Sequence, residues 1–219
     1  MKLLTGLFII IVLVSPSMGL GMKPFERPDS IDLVMEDFDD GNYTKDPEWW
    51  VFGGAELNVI GNPAKDKYSL LIRGIARDWY VGGIGLYLGN PAKNYSRYSR
   101  VEMDVYGYGP KSGTAKIELY DDDNGNWQVE QDPKTFNPLF DDKFVYELKI
   151  DWDGWKHVSI PISEFADLNP EAGDNVWNPS LQGGSGGLLQ MQIIAVASSK
   201  TGKVEFILDN IGLNGASKL

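Results

Sequence analysis

Gly202-Lys203-Val204-Glu205-Phe206-Ile207-Leu208-Asp209-Asn210-Ile211-Gly212-Leu213 is the stretch whose reading decides the fold. Its length and its β-branched and aromatic content are those of a buried strand. A carboxylate, Asp209, nevertheless stands in the middle of it. An ionised side chain in a core strand costs on the order of several kcal/mol unless it is paired or bound to a metal. Near the other end, Leu33-Val34-Met35 runs straight into Glu36-Asp37-Phe38-Asp39-Asp40. If the first and last strands lie side by side, these acids and Asp209 could share one cation, and hard oxygen ligands of this kind suit calcium. The alternative is that Asp209 caps a strand end and the early acids are solvated.

Outward from this segment the chain reads as a succession of short strands. Tyr98 to Tyr106 alternates, with Val101, Met103 and Val105 on one side and Arg100, Glu102 and Asp104 on a solvated face. Thr114 to Asp121 alternates again and leads into Asp122-Asp123-Asn124-Gly125-Asn126, a hairpin turn after which Trp127 resumes the strand. Phe144 to Ile150 pairs with Trp155 to Ile162, and Leu188 to Ala197 precedes the closing strand. Upstream, Ile31 to Phe38, Ala55 to Ile60, Tyr68 to Arg73 and Trp79 to Leu88 have the same character. The last contains Gly82, Gly83 and Gly85, a mark of a bulge or of close backbone approach. Asp39 to Trp50 reads as a polar loop, and Asn169 to Gly187 as a long Gly/Asn/Pro loop. Ser163 to Leu168 is the one helical turn, opened by a serine cap. About ten short strands with almost no helix predict an all-β, two-sheet antiparallel jelly-roll sandwich.

Residues 1–19 have the form of a secretory signal: Lys2, the apolar run Leu7 to Val14, then the small residues Ser17 and Gly19. The run is too short to span a bilayer comfortably, and no other segment looks transmembrane. The expected location is secreted or periplasmic, with no transmembrane anchor after cleavage. Residues 20–30 form an irregular lead-in, and 31–219 are enough for one well-filled core, a single β-sandwich domain. There is no cysteine, so no disulfide staples the fold, and zinc sites of the His/Cys type are excluded. A net charge of −11 repels nucleic acid and anionic membrane.

Seven Trp and ten Tyr are the more informative feature, because several fall in turn-like places. For the sugar binding implied by the resemblance of Glu36–Asp39, Trp155–Phe165 and Leu208–Leu213 to carbohydrate-binding modules, a flat ring would lie against the C–H face of a pyranose and carboxylates would take the hydroxyls. The candidates are Trp79, Tyr80 and Tyr87 on the Gly-rich strand, Tyr120 and Trp127 flanking the acidic hairpin, and Trp177 in the long loop, with Asp121 and Asp123 as hydroxyl partners. About half of these six rings should be core filling, with Trp127 and Trp177 the better placed for exposure. Trp49, Trp50 and Trp155 are assigned to packing; since neighbours on a strand face opposite ways, one ring of Trp49-Trp50 should point inward. The run Asp121 to Gly125 lacks the spacing of a helix-loop-helix calcium loop and is read as a hairpin tip.

Three motifs occur in order: Glu36-Asp37-Phe38-Asp39, Trp155-Lys156-His157-Val158-Ser159-Ile160-Pro161-Ile162-Ser163-Glu164-Phe165, and Leu208-Asp209-Asn210-Ile211-Gly212-Leu213. Together they resemble the β-jelly-roll carbohydrate-binding modules of the galactose-binding-like fold, above all the family 11 type. The resemblance implies a module that binds β-glucan chains in a groove on the concave sheet, with a structural calcium near the chain ends. Asp209 and Asp39 match the acids that bind calcium in such modules, and Asp37 is a further candidate. The sugar-contacting aromatics of the family map onto no clear motif here.

Glycoside hydrolysis uses a carboxylate pair at defined separation. Glu102-Met103-Asp104 resembles the start of the Glu-x-Asp-x-x-Glu strand of jelly-roll endoglucanases, but Tyr106 and Gly107 stand where the motif should close. His157, the single histidine, has no triad context. The chain therefore reads as a non-enzyme, an exported polysaccharide-binding protein. The alternatives are an envelope-associated interaction or structural protein with a protein partner, and a relative of the complex I intermediate-associated assembly factors.

Overall fold

The computed structural model describes residues 30–62, 67–181 and 186–215, so the expected signal and nearly all of the lead-in lie outside the described residues. In chain order the strands are β1 (Leu33–Glu36), β2 (Trp49–Gly53), β3 (Glu56–Asn62), β4 (Lys67–Ile75), β5 (Tyr80–Tyr87), β6 (Tyr98–Tyr108), β7 (Gly113–Asp122), β8 (Asp142–Ile150), β9 (Asp153–Pro161), β10 (Ala166–Asp167), β11 (Gly187–Val196) and β12 (Lys203–Gly215). Sheet one runs β3-β4-β12-β6-β9, with β1 also on β12; sheet two runs β10-β8-β7-β11-β5-β2. Both are antiparallel, and they make the expected jelly-roll sandwich. No helix among the described residues is long and apolar enough to cross a membrane.

β12 is the axis of sheet one. Along one edge it pairs with β6; along the other, β4 covers Lys203 to Leu208 and β1 takes over at Ile211 to Leu213. Val204, Phe206 and Leu208 are fully buried in the sandwich. At Asp209 the register with β6 slips, Asn210 takes a φ of 50°, and Ile211 and Leu213 return to the core. A bulge of this kind places two successive polar side chains at one point of a strand without exposing its apolar ones. The first and last strands do lie side by side, and the final strand tolerates Asp209 at this bulge.

Val101, Met103 and Val105 face inward as their spacing predicts. Glu102 and Asp104 depart from expectation: they are buried, at 2% and 0% exposure, rather than solvated. Side chains from β9 and β12 cover them. His157, opposite Asp104 on β9, bonds Asp104 Oδ1 through Nδ1 at 2.8 Å and Glu102 Oε2 through Nε2 at 3.0 Å. Ser159 Oγ donates to Glu102 Oε1 at 2.6 Å, and Asn210 Nδ2 donates to Asp104 Oδ2 at 2.9 Å. The bonds to Asp104 and Glu102 push the His157 pKa up to about 9, so the ring is an imidazolium donating from both nitrogens. Two buried carboxylates thus share one buried cation.

Four further expectations change. Phe144 to Ile150 and Trp155 to Ile162 do not pair: β8 lies in sheet two beside β7 and β10, and β9 lies in sheet one beside β6. Trp49 and Trp50 belong to a strand, β2, not to the end of a loop. The helical turn is a short 3-10 helix over Ile162–Glu164, begun after Pro161 with no serine side-chain cap. Trp127 does not resume a strand: its φ is 63°, and the chain rejoins the sheet only at Asp142.

Candidate functional site

The outward face of sheet two carries a depression of about 590 Å³. Its floor and one side come from β2, β5, β7 and β11 through Trp50, Phe52, Tyr80, Glu118, Tyr120, Gln192 and Ile194. Lys143 of β8 and the β7–β8 loop residues Gln131 and Phe136 form the other side. Trp49 points into the core and Trp50 into the groove, the alternation of a strand. Trp50 pairs with Gly85 and Phe52 with Gly83 across β2 and β5. A Cβ on Gly85 would lie 2.2 Å from the Trp50 ring, and one on Gly83 would lie 2.9 Å from the Phe52 ring. The glycines therefore let both rings lie down on the sheet, leaving the other face of Trp50 toward solvent at 36% exposure.

Polar groups stand beside these rings. Tyr120 hydroxyl donates to Glu118 Oε2 at 2.7 Å, and Lys116 Nζ is 2.7 Å from Glu118 Oε1. Burial pushes the Tyr120 hydroxyl pKa up, so it stays a donor. Burial likewise lowers the pKa of the Lys143 ammonium, which bonds the Asn137 side chain.

Of the expected sugar contacts, Tyr80 and Tyr120 line this groove, Tyr120 through the little surface it keeps. Tyr87 lies on the same face of β5 as Gly85, and its hydroxyl donates to the Trp127 carbonyl at 2.5 Å. Trp79 is exposed at the β4–β5 turn, outside the groove lining. Trp177, expected to be exposed, is half-buried and packs edge-on against Phe144 at 5.5 Å, because its loop folds back over the end of the core. Trp50, which the sequence assigns to packing, is a groove residue; the alternation that sends Trp49 inward was the available signal. Glu118, Gln131, Phe136, Lys143 and Gln192 carried no motif.

Asp121 and Asp123 are not beside the rings. They belong to an acidic cluster at the end of β7 and β8, where Asp121 and Asp142 are cross-strand partners. Carboxylate oxygens of Asp123, Asp142 and Asp174 all lie within 4.8 Å of one another. Asp121, Asp141 and Asp142 are fully buried, and one oxygen of each (Oδ1 of Asp121, Oδ2 of Asp141, Oδ1 of Asp142) has no hydrogen-bond partner. The remaining oxygens are held by backbone: Asn178 N donates to Asp121 Oδ2 at 2.6 Å, Val176 N to Asp142 Oδ2 at 3.1 Å, and Asp123 N to Asp141 Oδ1 at 3.3 Å, while Asp142 N donates to Asp123 Oδ2 at 2.8 Å. Burial, aided by the neighbouring carboxylates, raises Asp121 to about 8 and Asp123 and Asp141 to about 7. Buried acids with unsatisfied oxygens and, among the described residues, no salt bridge form a donor set that could hold a metal ion.

Of Asp37, Asp39 and Asp209, the expected metal ligands, Asp39 is in contact with a cation of the chain itself. The Lys67 ammonium pairs with Asp39, and Asp37 and Asp209 add to the field that raises its pKa. Among the described residues these three do not form a set of mutually close carboxylate oxygens, whereas Asp123, Asp142 and Asp174 do.

No protein-family model matches the sequence, and no curated protein does. Solved structures do match in fold: the chain has the two-sheet β-sandwich found in carbohydrate-binding modules, the family 11 type among them. The chain is similar to the family 11 module of the cellulosomal cellulase Lic26A-Cel5E of Clostridium thermocellum, with a TM-score of 0.53 and 18% identity over 86% of this chain and 97% of that one. A family 11 module from Clostridium thermocellum in complex with a β-1,3-1,4-mixed-linked tetrasaccharide gives 0.50 and 20% over 86% and 98%. An exo-β-agarase gives 0.53 and 11%, over 85% of this chain and 25% of the agarase.

Proposed function

We propose that the protein binds a polysaccharide chain of β-glucan type in the sheet-two groove, without cleaving it, and carries a structural calcium ion at Asp123, Asp142 and Asp174. The carrying observation is Trp50, laid flat over Gly85 and flanked by Tyr80, Tyr120, Glu118 and Gln192 on one outward sheet face. An exposed indole face offers a stacking platform for a pyranose, and the carboxylate and amide beside it suit its hydroxyls. The solved modules named above support the same reading by fold. Glu118 is the one carboxylate lining the groove, whereas glycoside hydrolysis takes two. The signal-like leader supports export to the periplasm or beyond, and amino-terminal sequencing of the exported protein is expected to begin near residue 20.

Affinity electrophoresis against mixed-linked β-1,3-1,4-glucan, xylan, agarose and cellulose derivatives tests the groove. Retardation by at least one polysaccharide is expected. Unaltered migration in every gel would overturn the proposal. A second reading has its own observation: Phe136, Leu139 and Phe140 are exposed on the β7–β8 loop at 68%, 47% and 53%, an apolar surface that suits a protein partner of the cell envelope.

A further inference from the structure

We infer that the cation site and the groove are coupled: an ion at Asp123, Asp142 and Asp174 fixes the β7–β8 loop, and with it one wall of the groove, so that calcium tightens polysaccharide binding. This rests on the function proposed above. Asp123 opens the loop between β7 and β8, and Asp141 and Asp142 close it. Between these ends lies a small self-contained hairpin. Leu139 N donates to the Glu130 carbonyl at 2.8 Å, Asp132 N to the Asn137 carbonyl at 2.9 Å, and Gln131 Nε2 to the Phe136 carbonyl at 3.0 Å. Between its ends the loop is tied to the sheet through the Tyr87 hydroxyl on the Trp127 carbonyl and Lys143 on Asn137, and the acidic cluster sits at those ends.

The hairpin supplies Gln131 and Phe136 to the groove. Asp142 and Lys143 are successive strand residues and face opposite ways. Asp142 faces the cluster, while Lys143 lines the groove and bonds Asn137 of the hairpin. Asp174 comes from a different loop, whose Val176 and Asn178 amides already hold Asp142 and Asp121. The partnerless buried oxygens of Asp121 and Asp142 point to a ligand beyond the cluster itself. Without an ion the buried carboxylates repel and the hinge is loose; with one, both loops are drawn to a single point. Coupling of this kind is reciprocal, so bound polysaccharide must tighten calcium by the same factor.

The full chain is stripped with chelator and titrated with calcium by calorimetry, and amide hydrogen exchange is followed with and without about 1 mM calcium. Mixed-linked β-1,3-1,4-glucan is then titrated under both conditions. Calcium uptake, slowed exchange across residues 124–141, and an affinity gain of about tenfold are expected. Because Asp142 is buried and also structural, the exposed Asp174→Asn carries the mutational arm. It should lose the calcium-dependent gain and keep the calcium-free affinity. Absence of calcium uptake would overturn the inference at its first step. Calcium uptake with unchanged exchange and glucan affinity would overturn the coupling and leave the groove standing. No glucan binding under either condition would overturn the coupling together with the groove reading.

Discussion

His157→Ala is expected to destabilise the protein by about 3–5 kcal/mol at neutral pH, the cost of removing one partner from a buried charge network. Glu102 and Asp104 are buried at 2% and 0% exposure, and the imidazolium bonds both. Truncation leaves both carboxylates without that cation: Asp104 keeps Asn210 as a neutral donor, and Glu102 keeps Ser159, Asn214 and the Arg100 guanidinium at 3.6 Å. The same network fixes a pH dependence. The folded-state pKa, about 9, lies above the ordinary 6.5, so between these values the folded protein holds a proton that the unfolded chain releases. The stabilisation is complete below about pH 6.5, declines as the pH rises, and is lost above about 9, a change on the order of 3 kcal/mol. Urea unfolding of the parent at intervals across this window should show the decline, and His157→Ala should lack this component of it. A variant as stable as the parent at pH 7 would show that the imidazole is not holding the two carboxylates.

Trp50→Ala should weaken binding of a groove polysaccharide by about 30- to 100-fold, as expected when a central aromatic platform is removed. Its indole is already about a third exposed, so the stability cost should be small beside the loss of binding. Gly85→Ala is the more discriminating change, because it leaves every ring in the protein. Its new methyl would occupy a point 2.2 Å from the Trp50 ring, which must tip away from the sheet. Affinity should then fall nearly as far as in Trp50→Ala, while the melting temperature moves little. Calorimetric titration of both variants, with tryptophan fluorescence to follow the ring, decides the matter. Unchanged affinity in Gly85→Ala would mean that the flat-lying indole is not the platform.

Much of the architecture was legible before any coordinates. Alternation found the strands that bury Val101, Met103 and Val105, and Asp209 pointed correctly to contact between the first and last strands. What remained hidden were relations between strands. Trp50 reads as packing until it is known to pair with Gly85 rather than with a bulkier residue. Glu102 and Asp104 read as solvated because nothing local reveals that His157 and Asn210 cover them. The acids at 121–123 read as a turn because Asp141, Asp142 and Asp174 arrive from two distant segments. Asp39 pairs with Lys67, a residue in neither of the two motifs that drew attention to the acid.

The position of β12 bears on how the molecule comes into being. Three strands from earlier in the chain attach to it, with Leu33 meeting Leu213. Until its residues have been synthesised, β4 and β6 have nothing between them, and half of the sandwich is missing. Assembly is thereby postponed to a late, slow step that must close the longest loops in the chain. A polypeptide with this strand order cannot complete sheet one until its last strand has taken its place between β4 and β6.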